Sequence, residues 1–140
     1  MESEKIQVNL MMKDNNIVRY NLELFEEAPD DKDMVLLKLT IDEKKISCKS
    51  ANFFDALLDL RKELEKTDII IMCNGAAENV YPSPMQQSMG SGRVAYKQFL
   101  GQKAKIADVV DIFECDESLN FVNIDKQLKF NIEWQKSITG

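Results

Sequence analysis

The sequence predicts an α+β fold in a single domain, residues 1–140: an antiparallel-rich mixed β-sheet of about five to six strands with two to three helices packed on it. Three features carry that expectation. Apolar and polar residues alternate through residues 6–41, an apolar stripe at helical spacing crosses residues 53–60, and residues 69–73 are apolar on both faces. At 140 residues, 44% hydrophobic and 30% charged, the chain is long enough to bury one core without disulfides or a structural metal.

The first half reads as a meander. Ile6, Val8, Leu10 and Met12 share one strand face, Asp14-Asn15-Asn16 supplies a turn, and Val18, Tyr20, Leu22 and Leu24 return. A third strand carries Val35, Leu37, Leu39 and Ile41. Asp42-Glu43-Lys44-Lys45 then turns the chain into a short strand at Ile46-Ser47-Cys48. Ser50 or Asn52 can cap the following helix, because a side-chain oxygen there satisfies orphaned backbone N–H groups. Phe53, Leu57 and Leu60 form its stripe, with Phe54 and Leu58 alongside. Asp55 sits near the positive helix end, and Arg61, Lys62 and Lys66 near the negative end. Residues 69–73 predict a central strand covered on both sides. Val94, Tyr96 and Gln98 alternate as a strand, and Ile106, Val109, Val110 and Phe113 suggest a short helix starting near Lys105 or Ala107, with Asp108, Asp111 and Glu114 on its solvent side. At the C-terminus Leu128, Phe130, Ile132 and Trp134 alternate as in a strand, yet Phe130, Trp134 and Ile138 also fit a helix, and periodicity leaves both open.

Irregular backbone is concentrated in one place. Four of the five glycines and two of the three prolines lie between Gly75 and Gly101, where an apolar strand gives way to a long polar loop. Such a loop in a small domain is a candidate site. No acid falls between Asn79 and Ala107, whereas Arg93, Lys97, Lys103 and Lys105 are cationic. With Gly90, Ser91 and Gly92 beside it, Arg93 suits a carboxylate or phosphate held bidentately. Asn74, Tyr81, Ser83, Gly90, Gly92, Arg93 and Lys97 are therefore the candidate ligand-binding residues. The pattern is neither a dinucleotide fingerprint nor a P-loop, since a strand follows Arg93. The plain alternative is a loop folded back on the sheet with solvated cations. Met85 and Met89, spaced for one helical face, either tuck into the domain's own core, the reading preferred here, or offer adaptable thioethers to a partner.

Glu26, Glu27, Asp30, Asp31 and Asp33 make a second loop strongly acidic. EF-hand spacing is absent and no metal site is expected. A solvated loop is the plain reading, and an acidic rim facing a basic protein, with Asp30, Asp31 and Asp33 in contact, is the functional one. The net charge of −6 argues against nucleic-acid binding. No apolar run approaches the ~18 residues of a membrane span, and residues 1–5 have the wrong charge for a signal peptide. Cys48, Cys73 and Cys115, odd in number and widely spaced, read as buried reduced thiols in a cytoplasmic setting. Without histidine, Ser-His-Asp and Cys-His nucleophile systems are impossible, which weighs against an enzyme without excluding one. No cofactor is implied.

Cys73-Asn74-Gly75, Val80-Tyr81-Pro82-Ser83, Met89-Gly90-Ser91-Gly92-Arg93 and Ala95-Tyr96 resemble a segment shared by a family of small, uncharacterised bacterial cytosolic proteins. The resemblance continues through residues 108–113 to Phe130 and Trp134, covering roughly the C-terminal half. The family pattern has glycine where this chain has Pro84 and Ser91. The resemblance implies a helical C-terminus ending near Trp134 and brings no catalytic residue. In general character the chain is also similar to immunity proteins, which neutralise bacterial toxin domains by binding them. The leading expectation is thus a small cytosolic protein-binding module of that kind, with a basic partner. The alternative is a binder of an anionic small molecule, or an enzyme, using residues 74–97.

Overall fold

The computed structural model describes residues 2–89 and 91–139. Strands β1 (Glu4–Met11), β2 (Ile17–Phe25), β3 (Val35–Ile41) and β4 (Lys44–Ser50) form the expected meander. Its turns place Asn15 and Asp42 at positive φ, which short polar side chains tolerate. Period-two alternation decides which face is buried: Leu10, Leu22, Leu37 and Leu39 are fully enclosed, while their strand neighbours Asn9, Asn21 and Lys38 point the other way. Helix α1 (Phe53–Glu65) covers that face with Phe53, Phe54, Leu57 and Leu60. Each such side chain contributes about 1.5–3 kcal/mol on burial. Asn52 is the cap, its Oδ1 accepting from Asp55 N at 2.9 Å.

Strand β5 (Ile70–Met72) corrects an expectation. It is not central but closes one edge, in the order β4-β3-β2-β1-β5, and among the described residues pairs only with β1. Ile71 enters the core; Ile70 and Met72 stay half-buried on the outer face, where Ile70 lies opposite Met11. A cross-strand apolar neighbour, rather than a covering helix, accounts for the second apolar face.

The remaining strands leave this sheet. β6 (Val80–Tyr81), β7 (Val94–Lys97) and β8 (Val109–Asp111) form a separate three-stranded sheet, and among the described residues every pairing is antiparallel, so neither sheet is mixed. The α+β fold therefore holds eight strands in two antiparallel sheets with three α-helices among the described residues. One core runs through both sheets, from Val8 and Leu10 to Ala95, Ile112 and Phe113. The expected long loop contains β6 and a short helix, α2 (Pro84–Met89). The helix expected near Lys105 is a single 3-10 turn, Ile106–Asp108, leading into β8. Ile106 is 89% exposed and cannot anchor a helix, whereas Val110 and Ile112 point inward at the strand period. Cys115 is exposed, unlike Cys48 and Cys73.

The ambiguous C-terminus is a helix, α3 (Ile124–Thr139), which runs past Trp134. Asn123 Oδ1 accepts from Lys126 N at 2.9 Å, and the Glu65 carboxylate accepts from Ile124 N at 3.1 Å. Its two most deeply buried residues are polar, beside half-buried Ile124, Phe130, Trp134 and Ile138. Gln127 and Asn131 are buried, while Leu128 and Ile132 remain 44% exposed.

A buried arginine explains the burial of Gln127. Arg61, 2% exposed, donates to Val122 O at 2.9 Å, to Gly75 O at 3.3 Å and to Gln127 Oε1, and lies 3.9 Å from Glu65. Gln127 Nε2 in turn donates to Gly75 O, Ala77 O and Val80 O at 2.8, 3.1 and 2.8 Å. Burial draws the Arg61 pKa downward, but guanidinium remains charged and three of its N–H groups are directed at carbonyl or amide oxygens. This cluster ties α1, the turn Asn74–Ala76, β6 and α3 together. Among the described residues no helix is long and apolar enough to cross a membrane.

Candidate functional site

The structure divides the residues of the former loop between two places. Around Arg93 they seat the start of α1. Ser91 O accepts from Phe53 N at 2.7 Å, and Gly92 N donates to Gln86 O at 3.0 Å. Gly92 has φ +68°, and a Cβ there would come 2.5 Å from Asn52 Oδ1. Gly90 lies outside the described residues. Arg93 uses Nη1 and Nη2 on the two Glu4 oxygens at 2.9 and 3.0 Å, and Nε on Asp111 Oδ2 at 3.3 Å. Its guanidinium also stands 5.6 Å from the Phe113 ring centroid. The hydrogen bond to Glu4 raises the Arg93 pKa and lowers that of Glu4. Asp111, expected on a helix surface, is thus an ion-pair partner on β8. The fork that would clasp an anion already clasps two carboxylates of the protein.

Asn74 is likewise engaged: it is buried, donates to Asp111 O at 3.1 Å and accepts from Asp116 N at 2.8 Å. Lys97 lies on β7 opposite Val80 and makes no ion pair within 4.0 Å among the described residues.

Beside Arg93 is an acidic cleft of about 570 Å³, lined by Glu2, Glu4, Glu26 and Glu27 with Ser3 and Leu24. Four carboxylates therefore share a cleft in which Arg93, the one cation among the described lining residues, is committed to Glu4 and Asp111. Of the other loop acids, Asp30 pairs with Lys49 at 3.1 Å, and Asp31 Oδ1 accepts from Asp33 N at 3.0 Å.

Tyr81 and Ser83 lie elsewhere, in a cavity of about 310 Å³ between the second sheet and α3. β6 and the start of α2 contribute Tyr81, Pro82, Ser83, Pro84 and Gln87; β7 and the residue after it contribute Tyr96 and Gln98. Ala104, Asn131, Trp134 and Gln135 close the opposite side. The lining is aromatic, prolyl and amide, with no charged residue. Ser83 and Gln86 set the angle of α2 by a reciprocal cap: Ser83 N donates to Gln86 Oε1 at 2.8 Å, and Gln86 N to Ser83 Oγ at 3.1 Å. Tyr81 rests edge-on against Phe54, ring centroids 5.0 Å apart. Trp134 Nε1 donates to Gln102 O at 2.9 Å, fixing the indole. Gln98 Nε2 donates to Asn131 Oδ1 at 3.0 Å, while Gln98 Oε1 is buried with no hydrogen-bond partner among the described residues. An orphaned buried acceptor costs about 1–3 kcal/mol. Burial raises the Tyr81 pKa; the Asp55 charge adds to that rise and Arg61 opposes it.

Helix α2 turns Pro84 and Gln87 toward this cavity and leaves Met85 and Met89 69% and 81% exposed, so the expected burial of both methionines in the core is corrected. A helix of one and a half turns can bury one side only. Buried Gln98, Asn131, Gln127 and Arg61 were not legible as site or scaffold residues, because a polar side chain on a helix or strand reads as solvent-facing until its partners are placed. Among the described residues no three His, Cys, Asp or Glu side chains gather to hold a metal. No family model matches the chain, and no curated protein matches it.

Proposed function

We propose that the protein is a non-catalytic binding module for a basic protein. The observation that carries this reading is the acidic cleft, where Glu2, Glu4, Glu26 and Glu27 converge and Arg93 is already neutralised. Within a chain of net charge −6, that cleft supplies a focused negative field suited to steering a cationic surface. Asp30, Asp31 and Asp33 extend the acidic surface along the same loop. Met85 and Met89, exposed on α2 a few residues before Arg93, add adaptable apolar contact area. A bacterial toxin domain neutralised by direct binding, as immunity proteins do, is the partner class we favour, and a cytoplasmic setting suits three unpaired thiols.

Affinity capture tests the reading. The immobilised protein is expected to retain a basic partner at low salt and release it near ~0.5 M salt, where screening is strong. The Glu26→Lys, Glu27→Lys variant is expected to retain none. Capture that is equal for both proteins, or indifferent to salt, would overturn the proposal.

An anionic ligand at Arg93 is the weaker reading, since it must displace Glu4 and Asp111. It requires an anion-induced rise in melting temperature that Arg93→Ala abolishes.

A further inference from the structure

We infer that the cavity between β6, α2 and α3 is a binding site for an uncharged, planar aromatic small molecule. It shares no described lining residue with the acidic cleft, so it adds to the proposed function and does not rest on it.

Three observations select that chemistry. First, the walls are aromatic and held in place. Tyr81 and Tyr96 are direct cross-strand partners on β6 and β7, so their rings share one sheet face, and Trp134 lines the opposite side from α3. Phe54 braces Tyr81, and Gln102 O fixes the indole. A flat ring gains offset or edge-on contacts on such walls that a saturated ring of the same size does not. Walls already ordered cost little further ordering on binding. Second, the volume of about 310 Å³ lies at the lower end of small-molecule sites. Third, no charged residue is among the described lining residues. The charges of Asp55 and Arg61 reach Tyr81 in opposite senses, and both groups are engaged. Asp55 accepts from Asn52 and Gln87 at 3.0 and 3.5 Å, while Arg61 donates to Gly75, Val122 and Gln127. An ion entering here would shed water and gain no free counter-charge, a cost that a neutral ring escapes. The side-chain amides of Gln87 and Gln135, neither of them buried, carry both donors and acceptors and suit a neutral polar edge such as a carboxamide.

Trp134 is the only tryptophan in the chain, so its indole N–H resonance reports on the site without ambiguity. Benzamide is titrated into the full chain by two-dimensional NMR. Beside it run benzoate and benzamidinium, its anionic and cationic counterparts of like shape, and cyclohexanecarboxamide, which keeps the amide and loses the aromatic ring. The expected result is a saturable shift of the Trp134 indole by benzamide, with a dissociation constant on the order of 1 mM. Both ions are expected to bind at least about tenfold more weakly, and the saturated amide about fivefold more weakly. Tyr96→Leu keeps an apolar wall and is expected to weaken benzamide about fivefold. Ala104→Phe, at an exposed position lining the cavity, supplies a competing ring and is expected to weaken it by a similar factor without disturbing the core. Equal binding of either ion or of the saturated amide would overturn the site, as would unchanged affinity in both variants. So would saturation that leaves the Trp134 indole unmoved, or no binding by the folded protein up to about 20 mM benzamide. Such a failure leaves the acidic-cleft reading standing, since that reading depends on capture by Glu26 and Glu27.

Discussion

Arg61 and Arg93 show how little a residue's type says about its use. Both are arginines in sequence contexts that suggested solvent or ligand, and both hold the protein to itself. Removing Arg61 leaves Gln127 Oε1 and the Val122 carbonyl without that donor, Gly75 O with Gln127 Nε2 alone, and Glu65 without its cation. Arg61→Ala is therefore expected to lose about 3–5 kcal/mol of stability in urea unfolding; a loss under ~1 kcal/mol would show that the cluster is incidental. Arg93 acts through Glu4 and Asp111 nearer the surface. The Glu4 carboxyl is depressed by its hydrogen bond with Arg93, so its contribution is present above the ordinary glutamate range and is lost as pH falls through the lowered folded value. Acid titration of stability should accordingly be shallower in Glu4→Gln than in wild type, with the difference shrinking in high salt because Glu4 is half exposed. Identical titrations would mean that the pair makes no net contribution.

At the scale of elements, legibility followed burial contrast. β1–β4 and α1 could be read because one face is apolar and the other polar, at periods of two and 3.6. β8 was misread because Val109 and Val110 satisfy both periods over so short a run, and the exposure of Ile106 settles it only in three dimensions. α3 was ambiguous for a different reason: its two buried residues, Gln127 and Asn131, are polar and apolar Leu128 and Ile132 face out, so only half-buried Phe130, Trp134 and Ile138 mark the inward side. The glycine-rich segment after α2 was legible as special but not in kind. It suggested an anion cradle, and its backbone instead meets Phe53 and Gln86. Gly92→Ala should therefore act on the seat of α1 as well as on a left-handed backbone position, costing more than the ~1 kcal/mol expected from conformation alone. Chemical denaturation would measure it, and a neutral substitution would show that Asn52 moves aside freely. Of the candidate site, Tyr81 and Ser83 were found from sequence, whereas Gln98, Asn131 and Trp134 come from elements too distant in the chain for any local pattern to join them.

At the scale of the whole molecule, two concavities of this acidic body differ in chemistry. One is lined by carboxylates, the other by aromatic rings and amides without charge. Surface charge of this kind governs encounter rather than fold, so altering it should leave melting unchanged while slowing association. Reversing Asp30, Asp31 and Asp33 tests the flank of the acidic surface: among the described residues the ion pair disturbed is the exposed Asp30–Lys49 contact, which solvent screens. The most direct measurement is the association rate of the captured partner with wild type and with Glu26→Lys, Glu27→Lys across a range of ionic strength. The account predicts a wild-type rate that falls steeply with salt, and a variant rate about tenfold lower at low salt and nearly flat. Equal rates with equal salt dependence would contradict it.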